Sequence, residues 1–326
     1  LTTPSADYIV DPFADLDFSP FGALLGDPDV EKIFHASEYD LILMKREFDW
    51  DVLNLFDTMW AARILGYRNM GLANFLREFY EITLSKKHQK ANWGKRPLTE
   101  AQLAYAQRDT HYLLDLRDRF AAMLEEKGCM REAREIFRDV AVVRLPDRSF
   151  DPDNFWKVRG ARDLPPERLG VLRALYVWRD GEAKRRDQPV FKVMSDSTLS
   201  KLAELCPQTV EELERVKGMS PRLISHVGRR LLHVISDGLR APRPRRPKRT
   251  GTRTSSDVRD RFDLLVEWRK RAAQARGVES DVIMHRETLW DIANQNPRSA
   301  EDLGNIESLG PVRRELYGEH LLDFLD

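Results

Sequence analysis

The sequence predicts an α/β domain, incomplete at its start, followed by two all-helical domains, and three observations carry that reading. Short β-prone runs near the beginning alternate with helical spacing. Strand signals fade after Pro165. From there the chain repeats itself at a constant offset of 90 residues, without a gap, from Leu175/Leu265 to Leu232/Leu322.

At 326 residues the chain should hold about two to three domains. Hydrophobic content of 42% with 33% charged residues belongs to a soluble globular protein, and no apolar run is long enough to cross a bilayer, so a membrane role is not expected. Cys129 and Cys206 are far apart and lack metal-ligand spacing, which suits free thiols in a reducing cytoplasm. Lys plus Arg (53) balance Asp plus Glu (53), but phosphate sites are made by local patches, and Arg240 to Arg253 is densely basic.

Taken in order, Tyr8–Val10 reads as a short strand ended by Asp11-Pro12, and Lys32–His35 as a second. From Tyr39 to about Gly128 the spacing is mostly helical. Two similar bundles of about seventy residues each fit the repeat better than a solenoid, whose units are shorter and number at least three. Trp178 and Trp268, identical across the repeat, are expected to pack the bundle cores. The Pro- and Arg-rich run between the copies cannot build a core and reads as a linker. The resulting division is 1–150, an adapter at 151–164, bundles at 165–240 and 257–326, and a basic linker at 241–256.

The strongest chemical signal is Tyr105-Ala106-Gln107-Arg108-Asp109, because residues four apart on a helix share a face and a phenol and a carboxylate can then share a water. Asp40 follows a β-prone run at a strand-to-helix junction, where α/β folds place their chemistry, although it could instead cap a helix. The segment Gln89 to Leu98 mixes amides, cations and Trp93, suiting contact with phosphate, sugar and base. Lys184, Arg185 and Arg186, with Arg229 and Arg230, are the first bundle's expected phosphate contacts, although a charge run is usually a solvated face. The second bundle carries Glu279, Asp281, Glu301, Asp302, Glu307 and Glu315 on its expected surface, so equal affinity for phosphate is not expected of it, and a bracing role is the alternative.

Through FHASEYD at 34–40, LFDTMWAARILG at 55–66 and QKANWGKRPLTEAQLAYAQRDTHYLL at 89–114, the chain resembles the ribonuclease D family of DEDDy 3′→5′ exoribonucleases. The repeats resemble HRDC domains, the first closely and the second more loosely. The resemblance implies a ribonuclease H-like exonuclease fold and two divalent ions, Mg²⁺ or Mn²⁺, held by four carboxylates. It makes Asp40 and Asp109 metal ligands and Tyr105 the residue that orients the attacking water. It also implies RNA contacts at His35, Gln89, Trp93, Lys95, Arg96, Lys184, Arg185 and Arg186, and a single-stranded RNA 3′ end, tRNA precursors above all, as substrate. The family's opening Asp-x-Glu is not found. The nearest imitation, Asp15 and Asp17, follows the first strand in the wrong order. With two carboxylates the chain is expected to be weakly active or inactive, and the alternative is a non-catalytic nucleic-acid-binding protein that retains the fold.

Overall fold

A computed structural model describes residues 1–83, 88, 89, 91–145, 149–245 and 255–325. It divides into two compact units, one formed by Leu1–Pro146 with Arg253–Asp326 and the other by Asp147–Thr252. Residues 246–254, most of the basic linker, lie outside the described residues.

The first unit opens with α1 (Ser19–Gly26), β1 (Lys32–Phe34), α2 (Glu38–Phe48), β2 (Leu55–Asp57) and α3 (Thr58–Leu65). It continues through α4 (Leu72–Tyr80), α5 (Glu100–His111), α6 (Leu113–Glu126) and α7 (Met130–Ala141). β1 and β2 pair in parallel, Ile33 opposite Phe56, with α2 as the crossover. The mostly helical spacing over 39–128 gives no sign of β2, because three buried residues running into a helix offer no alternation to detect. Tyr8–Val10, expected as a strand, is not one. Only an isolated bridge joins Thr2 and Asp7, and all three side chains are exposed, since strand propensity without a ladder partner leaves the backbone unpaired. The core gathers Trp60, Phe75, Leu116, Phe120, Leu124 and Ile136, all buried.

The second unit starts with the adapter, whose Phe155, Val158 and Ala161 join the helical core. Then come α8 (Leu169–Arg186), α9 (Val190–Val193), α10 (Asp196–Leu205), α11 (Val210–Glu214) and α12 (Pro221–Arg240). Within the first unit the same series recurs as α13 (Ser256–Arg276), α14 (Ser280–Ile283), α15 (Arg286–Gln295), α16 (Ala300–Gly304) and α17 (Pro311–Leu325). The starts of the last four helices fall 90 residues after those of their counterparts. Trp268 is in its core, and Trp178 packs half-buried against the other.

The second repeat is built onto α3 and α7. Val282 is buried in the same cluster as Phe120 and Phe137. The carboxylate of Glu135 accepts from the backbone N–H groups of Val312 (2.7 Å) and Arg313 (3.1 Å), filling the N-terminus of α17. Arg276 forms a two-pronged pair with Glu132 at 2.7 and 2.8 Å. Glu279 and Asp281, expected on the surface, are both bound by Arg63.

Candidate active site

Asp40 is carried by a strained turn. Between β1 and α2, Ala36 takes a left-handed conformation (φ 61°), which costs a non-glycine residue about 1 kcal/mol and must be held by its surroundings. Asp57 holds it. This fully buried carboxylate accepts from Ala36 N (3.1 Å), Ser37 N (2.8 Å) and Ser37 Oγ (2.7 Å), while capping α3 through Met59 N and Trp60 N. Sequence reading passed over Asp57. Its Asp-Thr opening to a helical run is a capping signal, but the turn it also clamps lies some twenty residues upstream and leaves no local trace.

Tyr105 and Asp109 are placed by α5, which begins in a reciprocal cap: Thr99 Oγ1 accepts from Gln102 N, and Gln102 Oε1 accepts from Thr99 N. The phenol ring of Tyr105 lies 5.9 Å from the Trp93 ring and 6.4 Å from that of His88. Burial, and then the charge of Asp109, raises its pKa above the ordinary phenol value.

Asp40 and Asp109 meet across a cavity of about 790 Å³, whose wall also includes His35, Phe34, Met44 and Leu113. Both carboxylates reach solvent inside this concavity. Its protein walls strip water from them, and burial raises both pKa values, with the charge of Asp57 adding to the effect at Asp40. Two hard oxygen donors with no cation paired to them among the described residues fit a share of a divalent-ion site, since an ion would relieve that unfavourable charge. Among the described residues, no group of three or more His, Cys, Asp or Glu side chains is arranged to hold a metal. Asp17 accepts from Ser19 N and Oγ at the start of α1 and plays no part in the cavity.

The expected RNA-contacting residues divide. His35 lines the cavity beside Asp40, with Nδ1 2.9 Å from Thr58 Oγ1, and its burial lowers its pKa. Gln89 and Lys95 are exposed, and Trp93 is half-buried with Nε1 donating to the His88 carbonyl. Arg96 is committed internally, gripping Asp11 with two N–H groups (2.7 and 2.6 Å) over the Phe13 ring, and this holds the Asp11 carboxyl at about 2. In the other unit, Arg185 and Arg186 both pair with nearly buried Glu182, and Lys184 pairs with Asp180. These cations are less free than the sequence suggests.

The family models matching the chain are those of the 3′-5′ exonuclease over residues 1–125 and of the HRDC domain over 168–235 and 258–325. Ribonuclease D of Pseudomonas paraeruginosa is 30% identical over 98% of this chain and 85% of that one. The chain belongs to the ribonuclease D family. Ribonuclease D of Acidiphilium cryptum is 29% identical over 94% of this chain and 77% of its own length. The crystal structure of Escherichia coli RNase D, an exoribonuclease involved in structured RNA processing, superposes with a TM-score of 0.66 at 26% identity, covering 97% of this chain and 84% of that one. The α/β nuclease domain with two helical HRDC domains and the 3′→5′ exoribonuclease function expected from the sequence are therefore those of the family, which depends on divalent metal. Among the described residues no helix is long and apolar enough to cross a membrane.

Proposed function

We propose that the cavity between Asp40 and Asp109 is where this ribonuclease D family member cleaves the 3′-terminal phosphodiester of a single-stranded RNA end. The observation that carries this is that two carboxylates, from α2 and α5, line one cavity and are both raised in pKa by burial. In this reading Asp40 and Asp109 hold divalent ions, Mg²⁺ or Mn²⁺ and two in the complete site. When bound, these supply activation of water and stabilisation of the leaving oxygen.

Tyr105, its pKa raised, keeps its proton at neutral pH and can orient a water by hydrogen bonding, one helical turn from Asp109. Trp93, beside Tyr105, offers a face for the terminal base, with exposed Gln89 and Lys95 in the same segment, while His35 contributes from the cavity wall beside Asp40. Arg96, Lys184, Arg185 and Arg186 contribute weaker phosphate contacts, because each must leave an acidic partner to make one. We propose structured RNA precursors such as tRNA as substrates, in the cytoplasm. The division we propose is nuclease 1–150, adapter 151–164, HRDC domains 165–240 and 257–326, and linker 241–256.

The test is Mg²⁺- or Mn²⁺-dependent digestion of an RNA with a single-stranded 3′ end, by the chain and by Asp109→Asn. Shortening one nucleotide at a time, abolished in Asp109→Asn while RNA affinity is kept, is the expected result. Full-rate cleavage by Asp109→Asn would remove Asp109 from the site, and binding without cleavage by the unaltered chain would favour a non-catalytic module.

A further inference from the structure

The second repeat reaches the turn that carries Asp40 through a short series of contacts. Arg63, on α3, donates to Glu279 (2.7 Å) and Asp281 of the repeat and lies over the Trp60 ring, 4.4 Å from its centroid. His285 meets the same ring nearly edge-on at 5.9 Å. Trp60 is almost fully buried, and its Nε1 donates to Glu38 Oε1 at 3.2 Å. Glu38 opens α2, two residues before Asp40. The start of α2 is thus tied to α3 twice, by Asp57 at the strained Ala36-Ser37 turn and by Trp60 at Glu38. Arg63 in turn holds Trp60 in place from the side facing the repeat.

We propose that Arg63, gripped by Glu279 and Asp281 of the second repeat and stacked on Trp60, is a positioning residue that sets the first turn of α2 and hence Asp40. Sequence position favours this assignment over simple bracing. The repeat's polar contacts with Glu132, Glu135, Asp139 and Arg131 fall on α7, whereas the Arg63 and Trp60 contacts fall on the helix that begins with the Asp57 clamp. A left-handed non-glycine turn such as Ala36 is kept only where its surroundings hold it, so the placement of the helix that follows depends on such outside ties. The repeat therefore serves the nuclease site from a distance. The inference rests on the reading of Asp40 as a metal-holding residue.

The experiment uses the whole chain with Arg63→Met, Arg63→Lys, Glu279→Gln and, as a control on the same interface, Glu315→Gln, which breaks the exposed pair with Arg131. Two quantities are measured: hydrogen exchange at the bonded amides of Ala36, Ser37 and Leu41, and Mn²⁺ affinity by titration calorimetry. Arg63→Met is expected to speed exchange there about tenfold and to weaken Mn²⁺ binding about threefold or more. Glu279→Gln should have a smaller effect of the same sign, Arg63→Lys should recover part of the loss, and Glu315→Gln should move neither quantity. Unchanged exchange at these three amides in Arg63→Met and Glu279→Gln overturns the proposal, as does an equal response to Glu315→Gln. If the unaltered chain binds no Mn²⁺, the metal reading of Asp40 fails, while the exchange comparison still decides whether Arg63 sets the turn.

Discussion

The two HRDC repeats share one design but satisfy it differently. In both, an arginine of the first helix latches the backbone after the short second helix, buried Arg179 onto the Met194 carbonyl at 3.0 Å and half-buried Arg269 onto that of Met284 at 2.8 Å. Their final helices are capped at equivalent amides by different groups. Ser220 accepts from Leu223 N within the first repeat, whereas Arg313 N, 90 residues on, donates to Glu135 of the nuclease domain. Gly310 replaces that serine, and a Cβ there would come within 2.3 Å of the Glu135 carboxyl carbon. Arg186 pairs with Glu182 in its own bundle. Arg276 has Ala272 at the matching position and pairs with Glu132 instead. Exposed Phe191 and Lys192 are matched by Asp281, bound to Arg63, and by buried Val282. A handful of positions thus exchanges partners within the first bundle for partners on the nuclease domain in the second, while the core keeps Leu175/Leu265, Leu199/Leu289, Ala203/Ala293 and Leu231/Leu321.

The largest expected break in this comparison comes from Glu135→Ala. It strips the cap from α17 and one anion from fully buried Arg313, leaving Asp139 as its partner, and should cost about 3–5 kcal/mol of docking. Exchange of the α17 amides measures it, and a loss below about 1 kcal/mol would show that the cap is incidental. Next is Gly310→Ser, which gives the second repeat the first one's cap but crowds Glu135, and is expected to cost about 1–3 kcal/mol in urea unfolding. The reciprocal Ser220→Ala in the first repeat should cost about 1 kcal/mol by the same method, through loss of a cap alone.

A pH comparison sharpens the contrast further. Hydrogen bonds from Arg185 and Arg186, aided by Arg230, hold the Glu182 carboxyl at about 2, below its ordinary 4.5. A depressed carboxyl pKa means that protonation opposes folding, so this stabilisation is complete above 4.5 and is lost as pH falls toward 2. Thermal unfolding of Glu182→Gln should therefore show a flatter acid limb over that window than the unaltered chain. Equal limbs would mean that the arginines contribute nothing through Glu182. The smallest effect expected is from Glu315→Gln, whose exposed pair with Arg131 should contribute below about 1 kcal/mol, measurable in a double-mutant cycle.

Much was decided by the sequence alone. The repeat offset, the helical bundles, and the helix bearing Tyr105 and Asp109 rest on period and local capping, which neighbouring residues determine. The family motifs also marked Asp40 before the cavity was visible. Tertiary structure alone decided the strand β2, the Asp57 clamp on a strained turn, and the failure of Tyr8–Val10 to become a strand. It likewise decided that Glu279 and Asp281 face Arg63 and Glu315 faces Arg131, and that a glutamate 177 residues away caps the repeat's last helix. Each of these depends on partners distant in the chain, and an unpaired amide or carboxylate carries no sign in its own neighbourhood of which group will satisfy it.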